Sequence, residues 1–398
     1  MSEPLFLQSV MQEKIWGGTH LRDVFGYDIP SDHVGEYWAI SAHPNGVSTI
    51  KNGRYAGQTL DVLYAEHREL FGNRQEPVFP LLTKILDAND WLSVQVHPDD
   101  AYGLEHEGEL GKIKCWYIIA AEPGAEIIYG HNAKSKEELR QQIESKDWEN
   151  FLTKVPVKAG DFFYVPSGTM HAIGPGILIL ETQQSSDTTY RVYDFDRRDD
   201  QGNKRELHIQ QSLDVLNLGD PENSVPATVK TLQLESTCLT SNSFFTVYKW
   251  KLSGLVDFKQ SAPYLLCSVL SGNGTMTIDS RIYCLKKGDH FILPFERIEI
   301  GKSYYFEGAY YRLKDYGDHI YGLQRAIPGM CGEKTASPSI KFYWKNGVLD
   351  YQFYVDFEAS PMIMKAYSST DHAFFEQAFE NLLHDFEDIL ESQENSEK

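Results

Sequence analysis

Along most of the chain, apolar positions gather in short runs rich in Val, Ile, Tyr, Phe and Trp, set off by polar turn residues. Runs such as WYIIAA (116–121), EIIYG (126–130) and ILILET (177–182) lie between Gly, Pro, Asn and Asp, a pattern that predicts short strands joined by turns. Two stretches follow a helical period instead. Thr59 to Phe71 places Leu60, Leu63, Tyr64 and Leu70 at compatible spacing behind a Thr able to cap the helix. Ser135 to Phe151 opens with Ser135 and Glu138 in capping-box spacing. An internal repeat, K-x-G-D-x-F-x-[VL]-P, occurs as KAGDFFYVP (158–166) and KKGDHFILP (286–294). A Gly-Asp turn feeding an alternating strand that ends at Pro is hairpin grammar, and two copies suggest two β-barrel or jelly-roll modules. The expected fold is mainly β with a helical insertion.

The end of the chain reads differently. From about Tyr304 it is Tyr-rich, and alternation resumes in SIKFYWKNGVLDYQFYVDF (339–357), where Asn346-Gly347 between two apolar runs signals a hairpin. From Asp371, a plausible N-cap, Phe375, Phe379, Leu382, Phe386 and Leu390 share one helical face. Residues 371–398 carry nine acids and one Lys, so −8 of the formal charge of −20 sits in 28 residues. An acidic amphipathic helix docked on the hairpin or on a partner is expected, with no motif to name that partner.

Composition narrows the function classes. The chain has 398 residues, or two to three domains at roughly 150 residues each. Apolar residues make up 41% and charged residues 24%, the balance of a folded globular chain. With 37 Lys and Arg against 57 Asp and Glu, the surface repels nucleic acid and anionic lipid. No apolar run approaches the ~20 residues of a membrane span, and the N-terminus lacks a signal-peptide pattern. Five cysteines, odd in number and never in CxxC spacing, point to a reducing cytoplasm rather than a disulfide scaffold.

Three segments carry candidate chemistry. In SVQVHPDD (93–100), alternation puts Gln95 and His97 on one face, where an amide oxygen and an imidazole can converge on a metal ion. VPSGTMHAI (165–173) places His171 just past a strand and a tight turn. Either histidine alone is equally at home as an ordinary hydrogen-bonded residue; together on adjacent strands they begin a zinc site. LETQQSSDTTYRVYDFDR (180–197) gathers Glu181, Asp187 and Arg191, a set able to move a proton and hold a phosphate or oxyanion, or simply to form surface ion pairs. No GxxxxGK[ST], strand-linked GxGxxG or GxSxG is present, which leaves nucleotide and serine-hydrolase readings without support.

These blocks, with QEKIWGG (12–18), GEYWAISAHPNG (35–46), FPLLTKILDA (79–88), AEIIYGHNAKSKEEL (125–139), RELH (205–208) and CSVLSGNG (267–274), resemble the short bacterial form of type I mannose-6-phosphate isomerases over about three-quarters of the chain. The resemblance implies a cupin fold with a catalytic N-terminal module bearing a helical insertion (1–225) and a metal-free second module (226–303). Residues 304–398 remain as an unrecognised α+β extension, either an appended domain or the product of recombination or frame change. It also implies interconversion of mannose 6-phosphate and fructose 6-phosphate through an enediol-type intermediate, with one zinc ion per chain. His97 and His171 match the family's histidine ligands, and Gln95 a ligand position that varies among short forms. Glu181 and Arg191 match acidic and basic active-site positions. Lys112 matches the Lys of a Lys-x-Glu segment, and Lys112, Arg191 and Asp187 are the expected substrate contacts.

One departure bears on the chemistry. Where the family's Lys-x-Glu supplies a carboxylate to zinc, this chain reads GKIKCWY (111–117), so Lys114 stands at the Glu position. An ammonium has no lone pair and repels a cation, so weakened zinc affinity and reduced activity are expected. The competing expectation is a catalytically silent cupin that binds a phosphosugar in a regulatory or scaffold role.

Overall fold

The apolar run ILILETQQ is realised as a single strand, Ile177–Gln184, with Ile177, Ile179, Glu181 and Gln183 on one face and Leu178 and Leu180 on the other. The protein is seen in a computed structural model that describes residues 3–294, apart from 199–200, 222–223, 259, 261 and 279–280. Beyond 294 it describes the backbone of five strands between 303 and 354. The chain divides into two units, 1–295 and 296–398.

In the first unit the strands run β1 (Leu5–Gln8), β2 (Val10–Gly18), β3 (Val34–Ile40), β4 (Thr49–Ile50), β5 (Leu81–Ala88) and β6 (Val94–Val96). There follow β7 (Lys114–Ala121), β8 (Glu126–His131), β9 (Leu152–Pro156), β10 (Phe162–Val165), β11 (His171–Ile173), β12 (Ile177–Gln184) and β13 (Tyr190–Tyr193). The remainder are β14 (Ala227–Lys230), β15 (Leu234–Ser241), β16 (Thr246–Leu252), β17 (Leu265–Ser268), β18 (Asn273–Ile278), β19 (Arg281–Lys286) and β20 (His290–Leu293).

Two antiparallel sheets form the jelly roll, one ordered β10-β7-β12-β5-β3-β2 and the other β13-β6-β11-β8-β9. Between them lies a core of Leu86, Trp116, Ile118, Ile127, Ile173, Ile177 and Ile179. Outside the six-stranded sheet, Leu178 and Leu180 pack with Leu5, Leu7, Leu60, Leu63 and Ile292. Outside the five-stranded sheet, Val94, Val96, Ala172 and Val192 pack under helical residues Leu139, Ile143, Phe151 and Leu213. The sandwich is thus buried on both outer faces, which explains why its strands read as nearly continuous apolar runs.

The repeat adopts the same turn twice. Gly160 and Gly288 hold φ of 95° and 89°. The carboxylates of Asp161 and Asp289 accept from the backbone N–H of Lys158 and Lys286 at 2.9 and 2.8 Å. The second copy feeds β20, which pairs with the first strand of the chain (Leu5↔Ile292) and with β17.

Both expected helices are interrupted. The first is Leu60–Glu66 followed by a 3₁₀ turn, Arg68–Phe71, with His67 leaving helical geometry between them and no side-chain cap from Thr59. The second ends at Ser145 because Lys146 turns left-handed (φ 57°), and a short helix, Trp148–Phe151, follows. Ser135 caps as expected, accepting from Glu138 N–H at 3.1 Å, but Glu138 reaches back to Lys134 N–H rather than to Ser135.

In the second unit, five strands form an antiparallel meander: β21 (Ser303–Phe306), β22 (Ala309–Asp315), β23 (Ile320–Ala326), β24 (Ser339–Lys345) and β25 (Val348–Tyr354). Lys345 pairs with Val348 on either side of Asn346-Gly347, as the hairpin signal implies. The amphipathic segment from Asp371 lies outside the described residues.

Candidate active site

Residues paired across antiparallel strands share a face. On the five-stranded sheet one row runs Tyr129, His171, Gln95, Arg191 across β8, β11, β6 and β13, and His97 lies two residues past Gln95. On the six-stranded sheet a second row runs Trp116, Glu181, Lys84, Trp38 across β7, β12, β5 and β3, with Lys114 two residues before Trp116. The rings of His171 and Trp116 meet edge to face at 5.4 Å, so the two rows look at each other across the sandwich.

The histidines are buried and fixed in one tautomer. His97 Nδ1 lies 2.9 Å from the Thr188 carbonyl and His171 Nδ1 2.8 Å from the Thr169 carbonyl. A carbonyl can only accept, so each Nδ1 carries the proton and each Nε2 keeps its lone pair. Both Nε2 atoms are buried without a hydrogen-bond partner, and the ring centroids are 4.9 Å apart. Burial, reinforced most by the Lys114 charge, holds both imidazoles neutral, well below the usual 6.5.

Opposite them lies a charge ladder. Lys114 Nζ is 3.2 Å from Glu181 Oε2, Lys84 Nζ is 3.2 Å from Glu181 Oε1, and Lys84 Nζ is 3.4 Å from Glu36 Oε2. The Trp116 and Trp38 indoles each donate at 2.6 Å to Glu181 and Glu36 respectively. Burial alone would raise the Glu181 carboxyl, but Lys114, Lys84 and Lys112 together hold it well below the carboxylate range. Burial pulls the Lys114 ammonium down, against the pull of Glu181. Lys112, buried and beside Lys84 and Lys114, is pushed down to about 7, and its Nζ reaches the Thr188 carbonyl at 3.4 Å. Asp187 is also held low, through Lys112 and Lys84 in spite of burial, and accepts from Asn45 Nδ2 at 2.9 Å.

Of the sequence-derived candidates, His97, His171, Lys112, Lys114, Glu181 and Asp187 are therefore brought together. Gln95 shares their sheet face. Arg191 shares that face through its pairing with Gln95, yet its guanidinium donates to the Glu206 carbonyl at 2.9 Å. Its charged neighbours are Arg205, Asp194, Arg197 and Glu206, not the lysine–carboxylate cluster. Sequence reasoning missed Lys84 and Glu36, although alternation in LLTKILDA puts Lys84 on the same face as Leu82 and Leu86. It also gave Glu109 no such part. One oxygen of that carboxylate accepts from Ser186 Oγ, the N–H groups of Asp187 and Thr188, and Thr188 Oγ1 at 2.9–3.2 Å. Glu109 thus fixes the loop whose Thr188 carbonyl orients His97 and Lys112.

Does this donor set fit a zinc ion? The two Nε2 lone pairs do. The Gln95 amide oxygen, on the same sheet face, offers a third donor; the Lys114 position offers none, because an ammonium has no lone pair and repels a cation. No group of three His, Cys, Asp or Glu side chains suited to a metal occurs among the described residues.

Comparison with known proteins places this geometry. The family model for the catalytic domain of type I phosphomannose isomerase matches residues 5–118, and that for the mannose-6-phosphate isomerase cupin domain matches 234–301. The mannose-6-phosphate isomerase of Streptococcus mutans is 70% identical over 308 residues, covering 77% of this chain and 96% of that protein. The crystal structure of the mannose 6-phosphate isomerase of Bacillus subtilis superposes with a TM-score of 0.72 at 51% identity, over 74% of this chain and 94% of that one. A mannose 6-phosphate isomerase solved with zinc and yttrium bound shares the fold, with a TM-score of 0.60 at 16% identity over 74% of this chain and 95% of that one. The jelly-roll rows and the extent of these matches lead to one assignment: the chain belongs to the type I phosphomannose isomerase family.

Proposed function

We propose that the chain interconverts mannose 6-phosphate and fructose 6-phosphate as an aldose–ketose isomerase of the cytoplasm. The observation that carries this reading is the extent of the likeness to named isomerases, 94–96% of their own length, together with a cluster of buried side chains that holds both proton acceptors and cations. Lys112 is assigned the phosphate or the oxyanion of an enediolate, with Asp187 at the sugar hydroxyls. Arg191, whose guanidinium is engaged by the Glu206 carbonyl, is given no contact with the lysine–carboxylate cluster. A proton moving between C1 and C2 needs an acceptor with a free lone pair, and the Nε2 atoms of His97 and His171 have one. Glu181, shared between two ammonium groups and an indole N–H, serves this reading as the counter-charge that keeps the lysines in place. Because Lys114 offers a metal no carboxylate and sets an ammonium beside its histidines, no step is routed through a metal.

The test is isomerisation of mannose 6-phosphate by the purified chain, with added zinc and with a chelator in parallel. Turnover supports the reading. Its absence under both conditions, from protein shown to be folded, overturns it in favour of a silent phosphosugar-binding cupin.

A further inference from the structure

We propose that the Lys114 ammonium stands in for a divalent cation, so that the buried charge cluster of this chain is complete without metal. Two observations carry this. The first is the ion pair itself: Lys114 Nζ, 3% exposed as a residue, sits 3.2 Å from a Glu181 carboxylate that is otherwise held by Lys84 and the Trp116 indole. The second is the charge sum. The ladder and its neighbours comprise Glu36, Glu181 and Asp187 against Lys14, Lys84, Lys112 and Lys114, so 4 − 3 = +1 with all seven ionised and 0 with Lys112 neutral; either way no surplus negative charge is left for a divalent cation. Replacing Lys114 by Glu changes that sum by two negative charges, the amount one divalent cation supplies. That difference does not depend on whether Lys112 carries its proton. A divalent cation bound at His97 and His171 in the present chain would instead add two uncompensated positive charges beside a buried ammonium, where low dielectric makes repulsion strong.

This inference goes beyond the isomerase reading and does not rest on turnover, because its readouts are bound metal and melting temperature. Zinc titration and thermal melting, with 10 μM zinc or with a chelator, are run on the native chain and on Lys114→Glu and His97→Gln. The native chain should retain well under one zinc per chain and melt at the same temperature in both conditions. Lys114→Glu should bind one zinc at least 100-fold more tightly than the native chain, and should melt several degrees higher with zinc than with chelator. Folding of Lys114→Glu only when zinc is supplied would support the same conclusion. One zinc per native chain, raising its melting temperature and lost in His97→Gln, would overturn the proposal, as would a folded Lys114→Glu that binds no more zinc than the native chain. If Lys114→Glu folds under neither condition, the native and His97→Gln measurements decide alone. Isomerase failure would be recognised separately, as absent turnover in chains whose metal behaviour follows either pattern.

Discussion

At the scale of single residues, Glu181 has the most to lose. It is 1% exposed and carries two ammonium partners and an indole donor. Glu181→Gln leaves Lys84 and Lys114 buried with too little negative charge, and breaking a buried pair in this way costs about 3–5 kcal/mol. Urea denaturation should read that loss, and a change below about 1 kcal/mol would mean that water reaches the cluster. Part of this cluster was legible in the sequence: Gln95 and His97 followed from strand alternation, and His171 from its place after a strand and a tight turn. Lys84 and Glu36 did not, because they are 48 positions apart and a buried lysine is written with the same letter as an exposed one. Only the pairing of β3 with β5 makes them partners.

Among the elements, the loop after β12 is set by a side chain from outside it. Four hydrogen bonds to one Glu109 oxygen include the amides of Asp187 and Thr188. Glu109→Ala should therefore speed hydrogen exchange at those two amides by about tenfold or more, corresponding to ~1.4 kcal/mol of lost protection. Unchanged exchange would show that Asn45 and the backbone hold the loop unaided. The repeated turns offer a paired test. A Cβ at Gly160 would meet nothing within 4 Å, whereas at Gly288 it would come to 3.0 Å from the Tyr27 ring. Gly160→Ala should cost about 1 kcal/mol from the positive φ alone, and thermal melting should show a larger loss for Gly288→Ala. The repeat and the Asn-Gly hairpin were readable because turn chemistry is local. The helix breaks at His67 and Lys146 were not, since Leu60, Leu63, Leu70 and Phe71 enter one buried cluster from both sides of His67, and Leu139, Ile143 and Phe151 another from both sides of the left-handed Lys146. The burial pattern continues where the backbone does not.

At the scale of the whole molecule, the three buried clusters found among the described residues lie within the first unit. A chain ending at residue 295 should remain folded and monodisperse by gel filtration. Aggregation would instead give the C-terminal segment the part of closing strands for the second module. Acid stability should report on His290, which is buried between Ser268 and the Tyr27 hydroxyl and pushed down to about 3 by burial, with a smaller effect from Lys51. The unfolded chain takes up this proton below about 6.5 and the fold does not until about 3, so stability falls as pH drops through that window. The contribution is up to ~1.4 kcal/mol per pH unit. His290→Gln should flatten the pH dependence of urea midpoints between pH 6 and 4 by one proton, and an unchanged slope would contradict it. The pairing of β1 with β20 has a further consequence for synthesis. At 5–20 residues per second, the partner of the first strand leaves the ribosome about 15–60 s after that strand itself. Throughout that interval Leu5 and Leu7 can pack on Leu21, Leu60 and Leu63, but one edge of β1 keeps its backbone unpaired until Ile292 arrives, so the earliest strand is among the last to be closed.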